Sequence, residues 1–112
     1  MFTTSRSEIV ALRPHAILGR VNVNFYATLR EVTGRKSVEF TLPAGATVQL
    51  LLDAVLERFP AMTRYLLDDQ GRLYAHVHLF INGRDAPYLD RALETPLTVD
   101  DAVDFFPAVG GG

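Results

Sequence analysis

The sequence predicts an α+β fold in which one amphipathic helix covers one face of a mixed sheet of about five strands. Three observations lead there. Apolar and polar residues alternate over 21–26, 38–42, 75–81 and 103–105, which is the period of a strand with one buried face. A single segment, 48–59, instead carries apolar residues at helical spacing. Turn-forming residues separate these segments at Thr33-Gly34, Pro43 to Gly45, Asp68 to Gly71 and Asn82-Gly83.

Taken in order, residues 1–19 show no clean period, mix Ser, Thr, Arg and Pro, and are expected to be an N-terminal extension. A β-domain is expected over 20–109, followed by a flexible glycine tail, 110–112. Val21, Val23 and Phe25 alternate with Asn22, Asn24 and Tyr26, and Val38, Phe40 and Leu42 repeat the pattern, so the two read as an N-terminal hairpin. Thr47 is an N-cap candidate for a helix carrying Val48, Leu51, Leu52, Val55, Leu56 and Phe59 on one face. Pro60 should stop that helix, because a proline there removes a hydrogen bond and clashes with the preceding turn. A short helix around Thr63 to Leu67 comes next, and Ala75, Val77, Leu79 and Ile81 give a third strand. Asn82-Gly83 accepts the positive φ of a tight hairpin and predicts a short return strand near Arg84 to Ala86. Residues 88–97 read as irregular with one helical turn, and Val103 and Phe105 mark a last strand that Pro107 closes.

Bulk properties exclude several kinds of function. A chain of 112 residues, 48% hydrophobic and 21% charged with net charge −2, is composed like one soluble globular domain and gives no sign of nucleic-acid binding. No apolar run approaches the roughly 18 residues of a membrane span, so a cytoplasmic protein without membrane partners is expected. The absence of cysteine rules out disulfides, thiolate metal sites and a cysteine nucleophile. Residues 85–112 carry six acidic groups against the single Arg91, which should steer this portion towards a basic partner surface.

The most informative segment is Phe106-Pro107-Ala108-Val109-Gly110-Gly111-Gly112. Glycines lack a Cβ, so such a tail can run extended through a channel too narrow for side chains and deliver its carboxylate to a nucleotide. Attack of that carboxylate on the α-phosphate of ATP would create an acyl-phosphate open to a sulfur or amine nucleophile. A phosphate-cradling G-x-x-x-x-G-K-[ST] loop is missing from the chain, so a partner must supply that chemistry. Alone, three glycines at a chain end are usually only an end; the residues before them change the reading. His76 and His78, two apart on an expected strand, share a face suited to a metal but lack a convergent third ligand, and no bound metal is expected. Asp100, Asp101 and Asp104 lack the D-x-D-x-D-G loop spacing of a calcium site and read as turn and solvent-face residues.

Three stretches together resemble the MoaD/ThiS family of ubiquitin-like sulfur carriers: Val21-Asn22-Val23-Asn24-Phe25-Tyr26-Ala27-Thr28-Leu29-Arg30, Leu79-Phe80-Ile81-Asn82-Gly83-Arg84, and Val103-Asp104-Phe105-Phe106-Pro107 through Gly112. The resemblance implies a ubiquitin-like β-grasp fold, with the first and last strands side by side, and a cycle run on the terminal glycine of a non-enzymatic carrier. An activating enzyme related to the ubiquitin activators adenylates the carboxylate of Gly112 with ATP, and a sulfurtransferase or other sulfide source replaces AMP to leave a thiocarboxylate. The carrier itself holds no cofactor. By position, Gly110 and Gly111 complete the tail, while Phe106, Pro107 and Val109 dock it in the partner. Family chains usually end in two glycines; here Pro107 to Gly112 keeps the family spacing and Gly110 stands where another small residue is usual. Asp100-Asp101 stands where the family often has Gly-Asp.

Three roles follow from the resemblance and the tail. The first expected role is a sulfur carrier serving molybdopterin, cysteine or thiamin synthesis, with a large molybdopterin-synthase subunit or another sulfur-accepting enzyme as partner. Alternatively, the chain is a protein modifier joined to lysines, with Lys36 as its own only lysine. A third reading is a non-catalytic β-grasp binding module.

Overall fold

The protein is described here from a computed structural model over residues 17–107. Its elements run β1 (Ile17–Phe25), α1 (Thr28–Thr33), β2 (Ser37–Pro43), α2 (Val48–Arg58), α3 (Thr63–Leu66), β3 (His78–Ile81), β4 (Arg84–Asp85) and β5 (Val103–Phe106), with 3₁₀ turns at Pro60–Met62, Ala86–Tyr88 and Ala92–Glu94. The five strands form one sheet in the order β2-β1-β5-β3-β4. Central β1 and β5 are parallel, and every other pairing is antiparallel. The first and last strands thus lie side by side, the β-grasp arrangement that the family resemblance implies and that periodicity alone left open.

Strand alternation sorts the residues onto two faces. Val21, Val23, Phe25, Val38, Phe40, Leu79, Ile81, Val103 and Phe105 are buried on one of them. Across that face lies α2, whose Val48, Leu51, Leu52 and Val55 are buried as its spacing requires. Phe25 makes a tilted contact with Phe105 at 5.3 Å and meets Phe59 edge-on at 6.3 Å. The helix begins where the Thr47 hydroxyl accepts a hydrogen bond from Leu50 N at 3.2 Å, satisfying one of the amides a helix start leaves unpaired. It ends before Pro60, which opens a 3₁₀ turn.

Two details differ from expectation. The first two strands pair antiparallel as the expected hairpin, but the short helix α1 fills their connection, because Leu29 is fully buried and Val32, three residues on, packs against the same core. Gly34 closes α1 in the left-handed conformation, donating its N–H to the Arg30 carbonyl at 2.9 Å. The third strand is shorter than its alternation suggests and begins at His78, since 75–76 form a turn in which Val77 N donates to the Tyr74 carbonyl. His76 is therefore exposed in a turn and does not share a strand face with His78.

At the opposite end of β3 the Asn-Gly turn is as expected, with φ of 55° at Asn82 and 84° at Gly83. The Asn82 amide clamps the approach to β5, donating to Asp101 Oδ1 and accepting from Ala102 N, each at 2.9 Å. Asp101 also accepts from Thr98 N at 2.8 Å. Neither Asp100 nor Asp101 adopts a positive φ, so this turn closes without the glycine usual there. At the start of β1, the register with β2 shifts between Ile17 and Gly19. Gly19 has φ +126°, and a Cβ on it would lie 2.8 Å from Val99 Cγ1.

Candidate functional site

Opposite α2, the other face of the sheet carries the second set of alternating residues. Here the rule of polar outward residues breaks at three aromatics: Tyr26 at the end of β1, Phe80 on β3 and Phe106 at the end of β5 are half-buried on this face. Their register explains why they meet. β5 lies between β1 and β3, pairing Phe25 with Phe105 and His78 with Phe106. The Tyr26 and Phe106 rings stack with centroids 4.1 Å apart and planes 7° apart. Phe80 meets Phe106 edge-on at 5.5 Å, and the His78 ring stacks on Phe80 at 5.5 Å. A continuous aromatic strip therefore crosses three strands beside the point where the chain leaves β5.

Polar contacts fix the strip at both ends. Asp104 Oδ1 accepts from the Tyr26 hydroxyl at 2.9 Å and from Asn24 Nδ2 at 3.0 Å, and Ser37 Oγ donates to Asn24 Oδ1. Bonding to the Asp104 carboxylate, reinforced by desolvation and by that carboxylate's charge, raises the Tyr26 pKa above its ordinary value, so the phenol stays a donor. The Lys36 ammonium lies 5.6 Å from the centre of the Tyr26 ring, within cation–π range. At the far end His78 Nδ1 and Asp85 Oδ2 are 2.7 Å apart.

Of the residues singled out from sequence, Phe106 is the centre of the strip, and Pro107, immediately after it, is buried. Val109, Gly110, Gly111 and Gly112 lie outside the described residues. Asp101 and Asp104 are engaged in the hydrogen bonds already given, and among the described residues no three His, Asp or Glu side chains converge as a metal site. Sequence reasoning missed Tyr26, Phe80, Lys36 and Asp104 as members of this surface. The signal was there: aromatics at outward positions of three segments that otherwise alternate, with Phe105 and Phe106 presenting one ring to each face.

Comparison with known proteins adds to this geometry. The model of the ThiS family matches residues 23–112. Small archaeal modifier protein 3 of Haloferax volcanii is 36% identical over 92 residues, spanning 82% of this chain and 98% of its own length. The crystal structure of SAMP1 from Haloferax volcanii is similar with a TM-score of 0.73 and 33% identity, covering 84% of this chain and 100% of that one. A chain in the crystal structure of the Amycolatopsis orientalis BexX/CysO complex is similar with a TM-score of 0.65 and 31% identity, covering 82% and 99% respectively.

Proposed function

This chain belongs to the ThiS family of ubiquitin-like β-grasp proteins, and from that premise we propose that it is a sulfur carrier whose working group is the carboxylate of Gly112. One observation carries the reading. The family match runs through residue 112, and the segment that ends there continues directly from β5, the strand held on both sides at the centre of the sheet. A rigid strand thereby delivers the tail to a partner.

In the proposed cycle a carboxylate oxygen of Gly112 attacks the α-phosphorus of ATP on a ubiquitin-activator-like partner, and pyrophosphate leaves. A sulfur nucleophile from a sulfurtransferase or sulfide source then attacks the acyl carbon. The C–O bond to AMP breaks and AMP leaves. Attack by sulfide gives the thiocarboxylate directly on loss of a proton, whereas attack by a donor persulfide gives an acyl disulfide, whose S–S bond is then cleaved by a thiol of the donor that forms a disulfide with the donor sulfur and leaves the thiocarboxylate on the carrier. That sulfur passes to an acceptor enzyme in molybdopterin, cysteine or thiamin synthesis. The aromatic strip of Tyr26, Phe106 and Phe80 is the surface on which the activating partner docks, with Pro107 and Val109 leading the tail into its channel. Half-buried aromatic rings beside the strand from which the tail departs suit such an interface. Exchange of labelled pyrophosphate into ATP by the activating enzyme tests the first step. Exchange should depend on the carrier and vanish when Gly112 is removed, and exchange that persists without Gly112 would refute the assignment.

The naming of relatives as small archaeal modifier proteins favours a second use of the same activated carbonyl, its transfer to lysine amines of other proteins. Mass spectrometry of host proteins for glycine remnants on lysine separates the two uses. Their absence under several growth conditions would exclude conjugation.

A further inference from the structure

We propose that the cleft between residues 73–77 and 85–88, at the β3–β4 edge of the sheet, receives an arginine side chain of a partner protein. The cleft measures about 310 Å³, room for one long side chain, and its walls include Tyr74, Val77, Pro87 and Tyr88 with His78 and Asp85 at the polar side. Nothing in the sulfur-carrier or modifier readings uses it, and the inference holds whichever chemistry the tail serves.

Three features select the occupant. Asp85 is a prepared acceptor: its side chain is only 17% exposed, Oδ2 meets His78 Nδ1 at 2.7 Å, and Oδ1 accepts a long hydrogen bond from Leu79 N at 3.4 Å. A carboxylate accepts about four hydrogen bonds, so acceptor positions remain open. The second feature is a pair of tyrosines, Tyr88 with 81% exposure and Tyr74 with 39%. Tyrosines exposed at the rim of a cleft are the kind of side chain that carries binding energy at interfaces. Charge is the third feature. Asp85 is the carboxylate of the lining, and the portion of chain that supplies the walls, residues 68–104, holds eight acidic side chains against Arg72, Arg84 and Arg91, a net negative balance that favours a cationic occupant.

Among cations, arginine fits best. Its guanidinium is planar, stacks on phenol faces and presents a fork of donors to a carboxylate, whereas the lysine ammonium is a compact and strongly hydrated point charge. Continuity with the strip gives such a partner a place to stand. His78, which borders the cleft, stacks on Phe80, so a protein seated on the aromatic face reaches the cleft at the strip's far end.

The test is an NMR titration of the isotopically labelled full chain with acetyl-Gly-Arg-Gly-amide, and with the same peptide carrying leucine in place of arginine. The arginine peptide should give saturable shifts confined to Tyr74, Tyr88, His78 and their neighbours, and the leucine peptide should give none. Tyr88→Ala alters a ring that faces solvent and so keeps the fold. It should weaken binding about two- to fivefold, the worth of one exposed cation–π contact, and Asp85→Asn should weaken it at least as much. No saturable shift, an equal response to the leucine peptide, or an arginine response that survives both variants would each overturn the proposal.

Discussion

At the scale of single residues, Asp104 organises the tail end of the sheet. Its carboxylate holds the Tyr26 hydroxyl and the Asn24 amide, and Tyr26 in turn supports the Phe106 ring. Tyr26→Phe keeps the stack and removes the hydrogen bond, which should cost about 0.5–1.5 kcal/mol in chemical denaturation. The pH dependence follows from the raised Tyr26 pKa. Protonated tyrosine is favoured in the folded state, so its stabilisation is fully present below the unfolded value of about 10 and is lost as pH rises through the higher folded value. Wild-type stability should therefore fall more steeply above pH 10 than that of Tyr26→Phe. Asp68 behaves in the opposite sense. Backbone N–H groups of Arg72 and Gln70 hold its pKa below the ordinary 3.8, so its contribution is present above that value and is lost as pH falls through the folded one. Asp68→Asn should flatten the acid limb of the stability profile.

At the scale of elements, α2 was legible because every layer of its sequence agrees: a capping threonine, an apolar stripe at 3.6-residue spacing and a stopping proline. Leu51 is fully buried, and Leu51→Ala should cost about 2–5 kcal/mol, read as a lower denaturation midpoint. α1 was not legible, since six residues with two apolar positions, Leu29 and Val32, are too few to declare a period. Only the core supplies the reason for that helix. β3 was overextended because Ala75 and Val77 continue the alternation while the hydrogen bonding at 74–77 follows a turn. The aromatic strip belongs to this scale as well. Alternation predicted which face each strand residue takes, yet the strip exists only once β5 lies between β1 and β3, a neighbour relation that periodicity cannot express. Phe106→Ala should leave the global fold intact and raise the KM for the activating enzyme about tenfold, as expected when an interface anchor worth about 1.4 kcal/mol is lost. An unchanged KM would move the docking surface elsewhere.

At the scale of the whole molecule, the sheet order and the tail form one design. A parallel β1–β5 pair at the centre makes the last strand the best supported one, and the segment ending at Gly112 continues from it. The last member of the described core is Phe105, and deleting Gly111 and Gly112 should leave the unfolding midpoint where it was while removing activation. The family resemblance could propose the tail as the working group, whereas the aromatic strip and the cleft beside Asp85 could not be read from sequence. The resemblance rests on residues close together in the chain, while those surfaces are assembled from several strands and turns. The account is tested most directly by intact-protein mass spectrometry of the full chain after incubation with ATP, a sulfide source and the host's activating enzyme, beside a chain lacking Gly112. A mass gain equal to one oxygen-to-sulfur exchange, present only with the complete tail, is the predicted result; no gain from an enzyme shown to load another carrier would contradict it.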